Sequence, residues 1–214
     1  MLRVTEIFHS IQGESTHAGR SCTFVRLTGC PMRCEWCDSE YTFSGGEHVS
    51  VDEVMAKVRE FGCNLVEVTG GEPLAQEEAL ALISRLCDEG FEVLVETGGY
   101  LSTEGVDQRA KVILDVKCPG SGEDGRNHWS NLELLRADKD EVKFVVANRG
   151  DWDFARGIIA RFRLEERAKA VLISPVWGEV DLKEISNWIL SSGLSVRLQL
   201  QLHKYIWGAE ARGV

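Results

Sequence analysis

Short runs of mostly Val, Ile and Leu recur along this chain, each followed by a segment of helical period or by a glycine-rich stretch. The runs are Cys22–Leu27, Leu65–Thr69, Glu92–Glu96, Val112–Val116, Val142–Ala147, Ala170–Ile173 and Val196–Leu200. Near-continuous apolar runs of this length mark parallel strands covered on both faces. Between them, Val51, Val54, Met55, Val58 and Phe61 form one helical stripe, opened by the capping-box pair Ser50 and Glu53. Leu82, Ile83 and Leu86 form a second. A third, Phe154, Ile158, Ile159 and Phe162, follows Asp151 as its expected N-cap, and Leu182, Ile185 and Ile189 follow Asp181. Alternation of strand and helix requires right-handed crossovers and a parallel sheet. A closed eightfold barrel takes about 250 residues; this chain has 214, and Gly98–Lys111 and Cys118–Glu141 hold little helical pattern. The expected fold is α/β: an incomplete TIM-type barrel of parallel strands with some helices missing. No linker or repeat divides it, so residues 1–214 are expected to form a single domain.

Composition narrows the function. The net charge of −10 repels phosphate backbones and anionic lipid, which argues against nucleic acid and membrane as partners. No apolar run reaches the ~18 residues of a membrane span, and the N-terminal residues lack a signal-peptide core. Seven cysteines in such a chain read as reduced thiols and metal ligands, which points to a cytoplasmic protein. Glycines cluster just past the strands, at Thr69-Gly70-Gly71-Glu72-Pro73, Glu96-Thr97-Gly98-Gly99, Lys117–Gly122 and Ser174–Gly178. Loops at the C-terminal ends of parallel strands build the active sites of such folds.

Cys30, Cys34 and Cys37 follow the first run with spacers of three and two residues. Three thiolates so spaced can wrap one face of a soft metal centre. A structural zinc site would need a fourth protein ligand, and the nearest histidines in sequence are His17 and His48. A 4Fe-4S cluster held by three cysteines would leave one iron open. Cys22, Cys63 and Cys87 fall within strand or helix patterns and read as core residues, whereas Cys118 lies on the functional rim and is expected not to be a ligand.

The Cys-x3-Cys-x2-Cys spacing with Trp36 before the last cysteine resembles the signature of the radical S-adenosylmethionine superfamily. Thr69–Pro73 resembles that superfamily's glycine-rich element after the second strand. Gln12-Gly13-Glu14, Cys37–Tyr41, Glu96-Thr97-x-Gly99, Asp115-Val116-Lys117 and Gln201-Leu202-His203-Lys204 run in the order seen in the 7-carboxy-7-deazaguanine synthases, and the match spans Phe8 to Trp207.

The resemblance implies a 4Fe-4S cluster on Cys30, Cys34 and Cys37, S-adenosylmethionine on the open iron, and Mg²⁺. The implied reaction contracts the ring of 6-carboxy-5,6,7,8-tetrahydropterin with loss of ammonia. A 5′-deoxyadenosyl radical takes the C6 hydrogen, and S-adenosylmethionine is regenerated. Gly70 and Gly71 would admit the methionine amino group to backbone carbonyls, with Glu72 as a charged acceptor. Trp36 would lie along the cluster or the adenine edge, or serve as a plain core aromatic. Thr97, Lys117 and Ser174 would reach the methionine carboxylate or ribose, with Asp38 nearby; Lys117 also reads as a surface lysine. Arg26 suits a bidentate clamp on the substrate carboxylate, or an ion pair with a neighbouring acid. Gln12, Gly13 and Glu14 suit the pterin edge, with Thr69 and His203 as further substrate residues. Ser39 stands where many relatives carry the threonine that binds magnesium, and its hydroxyl keeps that coordination open. The family further implies a homodimer and a reducing partner such as flavodoxin or ferredoxin. The competing readings are a glycyl-radical activating enzyme and an iron–sulfur electron carrier or zinc-bound interaction module.

Overall fold

The computed structural model describes residues 1–214. Nine strands form one sheet in the order β3-β1-β2-β4-β5-β6-β7-β8-β9. They are β1 (Leu2–Ile11), β2 (Ser21–Leu27), β3 (Glu47–Val49), β4 (Leu65–Gly70), β5 (Glu92–Thr97), β6 (Lys111–Val116), β7 (Glu141–Val146), β8 (Ala170–Pro175) and β9 (Arg197–Leu198). Strands β2 and β4 to β9 run parallel, whereas β1 is antiparallel to both β2 and β3. Because β3 and β9 do not pair, the sheet stays open, as an incomplete barrel must.

The antiparallel β1–β3 pair extends the expected strand set. Leu2 and Val4 are buried while Arg3 between them is exposed, the alternation of a half-covered strand rather than a parallel core run. At the other edge, the run at Val196–Leu200 shortens to the exposed pair Arg197–Leu198. There the chain turns inward so that Gln199 can bond Ser15 and Glu14.

The helices are α1 (Val51–Glu60), α2 (Glu78–Asp88), α3 (Arg149–Phe162), the short α4 (Leu164–Arg167), α5 (Leu182–Ser192) and α6 (Leu202–Trp207). Ser50 and Glu53 form the full capping box of α1, and Asp181 caps α5 through the Lys183 and Glu184 amides. Asp151 is not the cap of α3. Asn148 takes that place, and Asp151 sits one turn inside, buried, accepting from the Gly120 and Ala147 amides. Residues 98–110 hold no helix, and 118–140 hold only short 3₁₀ turns.

The two faces of the sheet differ sharply. The face under the helices is apolar, with Val66, Val68, Val93, Val95, Leu114, Phe144 and Ile173 in one core of 35 buried residues. The opposite, concave face carries a small apolar floor of Cys22, Phe24, Leu65, Leu94 and Ile113. Beyond that floor toward the strand ends it carries charge: Glu67, Glu96, Asp115 and Lys143. Period-two alternation therefore puts these charged side chains on the side opposite the helices. Cys22 and Cys87 are buried as expected, but Cys63 lies half-buried in the loop between α1 and β4.

Candidate active site

A cavity of about 530 Å³ opens at the concave face and gathers residues from six of the nine strands and from both ends of the chain. Its upper wall is the cysteine loop after β2, where Cys30, Cys34 and Cys37 are half-buried. That loop is tied down from two sides. Glu72 N donates to Gly29 O at 2.8 Å, Glu35 N to Ser121 O at 3.1 Å, and Arg126 Nη1 to Pro31 O at 2.7 Å. Burial pushes all three thiols above their ordinary pKa. They are thus protonated at neutral pH without metal, and iron binding would expel the protons. Three soft donors at the lip of one cavity fit one face of an iron–sulfur cluster.

The glycine-rich turn is required by the protein's own backbone. Gly70 has φ of +148°, and a Cβ there would meet Leu27 O at 2.2 Å. A Cβ on Gly71 would meet Gly29 O at 2.4 Å and Cys30 Cβ at 2.8 Å. Side chains at either position would push the turn off the cysteine loop.

The N-terminal and C-terminal motifs meet across the cavity. Leu202 N donates to Gly13 O at 2.9 Å, and a Cβ on Gly13 would come 2.1 Å from His203 Nδ1. Glu14 accepts from Gln201 Nε2 at 3.0 Å, and from Gln199 Nε2 and Lys143 Nζ, both at 2.9 Å. Burial opposes the charge on Glu14, yet Lys143 and Gln201 hold its carboxyl below the ordinary range. Gln12 donates to Glu67, whose burial beside Glu96 and Glu14 raises its carboxyl well above that range. Burial lowers His203, so its ring is neutral at pH 7.

Arg26 pairs with Glu6 through Nε at 2.9 Å, which leaves the two terminal nitrogens of its fork unused. Lys117 is no surface residue: it is buried against Asp115 at 2.9 Å. Trp36 packs against Gly120 rather than in the core. Asp38 accepts from Lys204 at 2.9 Å and from Ser39 Oγ at 3.1 Å. Burial opposes its ionisation, but Lys204 holds it well below the ordinary carboxylate range.

Thr69 and Thr97 also line the cavity, but two expected residues do not. Glu72 is fully buried, with its oxygens taken by Thr97 Oγ1, Gly98 N at 2.9 Å and Leu74 N at 3.0 Å. It braces the turn instead of facing a ligand. Ser174 is 2 % exposed on β8, where Val145 and Val176 form the wall instead. Glu96, Asp115 and Lys204, which the quoted motifs contain without an assigned role, also line the cavity, as do Glu67 and Lys143, which were not singled out. Their sequence signal is a lone charge inside an apolar strand run, as in Leu65-Val-Glu67-Val and Val142-Lys143-Phe144.

Cys118 is 1 % exposed within the helix-side core, and burial drives its thiol far above the ordinary value. Cys118→Ser is therefore expected to cost about 1–3 kcal/mol of stability, as a hydroxyl placed in apolar surroundings does. It should leave the iron content of reconstituted protein unchanged. A loss of iron in the folded variant would show that Cys118 is a ligand.

Residues 24–120 match the family described as the Radical SAM superfamily. Over 227 aligned residues the chain is 44% identical to the 7-carboxy-7-deazaguanine synthase of Koribacter versatilis, with all of both chains covered. It is 44% identical to that of Chlorobaculum tepidum (100% of this chain, 97% of the relative) and 38% identical to that of Thermoplasma acidophilum (96% and 97%). Among solved structures, QueE from Escherichia coli superposes with a TM-score of 0.76 over 94% of each chain at 23% identity. SuiB of Streptococcus suis, bound to its precursor peptide SuiA, gives 0.58 over 83% of this chain and 47% of that one, at 12% identity. These two share the fold. Identity over the full length, the cysteine loop and the cavity beneath it lead to one conclusion: the chain belongs to the 7-carboxy-7-deazaguanine synthases of the radical S-adenosylmethionine superfamily.

Proposed function

We propose that this enzyme converts 6-carboxy-5,6,7,8-tetrahydropterin to 7-carboxy-7-deazaguanine with loss of ammonia, a step toward queuosine-type deazapurines. The observation that carries this reading is the junction of Gln12-Gly13-Glu14 with Gln199–His203, whose residues line the same cavity as the three thiols. It gives the cavity a cluster of polar groups suited to a small polar molecule. A glycyl-radical activating enzyme must admit a protein loop, and here residues 209–214 lie along the cavity wall, with the Arg212 guanidinium 4.3 Å from the centre of the Tyr41 ring.

A 4Fe-4S cluster on Cys30, Cys34 and Cys37, with S-adenosylmethionine at its open iron, supplies the hydrogen-atom abstraction that starts the chemistry. The chain's own residues hold and orient the substrate. The free fork of Arg26 matches a carboxylate with two parallel hydrogen bonds. Glu14, kept ionised by Lys143, accepts from the amino and ring N–H donors of an aminopyrimidinone. Neutral His203 can donate or accept, and packing against Gly13 holds its ring in place. Ile11, Phe24, Val145, Val176 and Trp177 keep water from the reacting ring. Ser39 and Asp38 offer a hydroxyl and a carboxylate, hard oxygen donors of the kind Mg²⁺ takes. The same reading includes a flavodoxin or ferredoxin as electron donor and a cytoplasmic location. It also includes a homodimer, for which the unpaired edge at β9 and exposed Tyr205, Ile206 and Trp207 provide surface. No helix is long and apolar enough to cross a membrane.

The test is anaerobic reconstitution with iron and sulfide, then reduction with S-adenosylmethionine and the carboxytetrahydropterin present. Deazaguanine absorbance and ammonia should appear together. Absence of product, with cofactor cleavage triggered only by a second protein, would replace this reading with the activating enzyme.

A further inference from the structure

One buried cation organises the cavity floor. The Lys143 side chain is 7 % exposed, and its ammonium meets three carboxylates from three different segments. Glu14 Oε2 lies at 2.9 Å, Asp115 Oδ2 at 3.7 Å, and Glu96 Oε1 is in direct contact. Asp115 is itself buried, and its Oδ1 has no hydrogen-bond partner although the residue lines the cavity. A buried acceptor without a donor is costly. The charged and titratable neighbours come from every adjoining element: Glu67 on β4, Glu96 on β5, Asp115 on β6 and Lys117 just after it, Glu14 after β1, Asp38 beside the cysteines and His203 on α6.

We propose that Lys143 is a positioning residue for substrate recognition: its ammonium holds Glu14, Glu96 and Asp115 together as an anionic face for the donor edge of the aminopyrimidinone. The inference rests on the pterin reading above. Without Lys143 these carboxylates would repel one another, and protons would replace the lost cation. A protonated Glu14 is a poorer acceptor for ring N–H groups.

The experiment titrates reconstituted enzyme with pterin-6-carboxylate, a stable aromatic analogue carrying the same edge and carboxylate. Its fluorescence is followed at about pH 6 and about pH 7.5. Lys143→Gln is expected to weaken binding about 10- to 100-fold, the range of a lost hydrogen bond to a charged group. Its affinity should recover with rising pH while the wild type stays flat. In turnover, KM should rise while kcat stays within about threefold. Combined with Glu14→Gln, the substitution should weaken binding by clearly less than it does in the wild type, because part of its effect runs through Glu14. Lys143→Arg should restore the flat pH response. If Lys143→Gln does not fold, Lys143→Gln/Glu96→Gln removes one charge of each sign and carries the same expectation.

Wild-type affinity in a folded Lys143 variant, or full additivity with Glu14→Gln, would overturn the positioning role while leaving the pterin reading intact. Failure of the wild type to bind the analogue would overturn both.

Discussion

Cys34→Ala, reconstituted anaerobically beside the parent enzyme, is expected to melt cooperatively yet show no cluster absorbance. Its product formation should fall below about one part in 10⁴, because enzymes outpace the uncatalysed reaction by about 10⁶ or more and this chain's chemistry needs the cluster. Measured against the cluster-free parent, the stability change should be small, about 1 kcal/mol, since the Cys34 side chain is only half-buried and the loop is held by other bonds. Arg33 N donates to Glu123 Oε1 at 2.5 Å, and Arg33 Nη1 to Cys30 O at 2.7 Å. Neither bond involves a thiol, so the loop should keep its shape. Iron content, visible absorbance and ammonia release measure the outcome. A folded variant retaining about a tenth of the parent's rate would remove the three-cysteine cluster from the mechanism.

The second large effect is expected at a glycine far from the cysteines in sequence. Gly13 does not have the left-handed backbone that favours glycine, so alanine would meet no conformational strain there. The obstacle is space alone. A Cβ would stand 2.1 Å from His203 Nδ1 and 2.8 Å from both His203 Cγ and the His203 backbone nitrogen. Rotating the imidazole relieves the first contact but not the last. The start of α6 must therefore move, and the Leu202–Gly13 hydrogen bond and the Gln201–Glu14 contact move with it. Gly13→Ala should cost about 1–3 kcal/mol in thermal stability, the usual range of overpacking. It should also raise KM about 100-fold, the equivalent of losing two oriented polar contacts. Gly125→Ala, where nothing lies within 4 Å of the added carbon, serves as control and should be neutral. Parent-like KM in Gly13→Ala would mean that the junction of the two motifs does not shape the substrate site.

Much of the fold was legible because its signals are local. The capping box at Ser50 and Glu53 lies within one turn. The apolar strand runs differ from their observed bounds by a residue or two, except at the open edge. Strand β1 was hidden because its burial alternates, and Asp151 looked like a cap because Asx residues near a helix start share that pattern. The cysteine loop was legible as a site from its spacing alone. Glu72 and Ser174 lie off the cavity lining for one shared reason: position at a strand end does not reveal which way a side chain turns. Glu72 turns to Thr97 and Gly98, and Ser174 stays under the wall formed by Val145 and Val176.

What this chain determines by sequence alone is its set of strands and caps, the thiol triplet and the order of its motifs, all written within a few residues of one another. Tertiary structure alone decided which charges face each other. Lys143 and Glu14 are 129 residues apart, and Gln201 and Glu14 are 187 apart. Their meeting depends on parallel register, which sets Asp115 opposite Lys143 across β6 and β7, and on the inward turn after β9. An isolated lysine in an apolar run could have been an outward-facing charge on an edge strand. Only the closing of β4, β5, β6 and β7 around a common concave face turns it toward three carboxylates, because a strand's alternation fixes sides but not which side is inside.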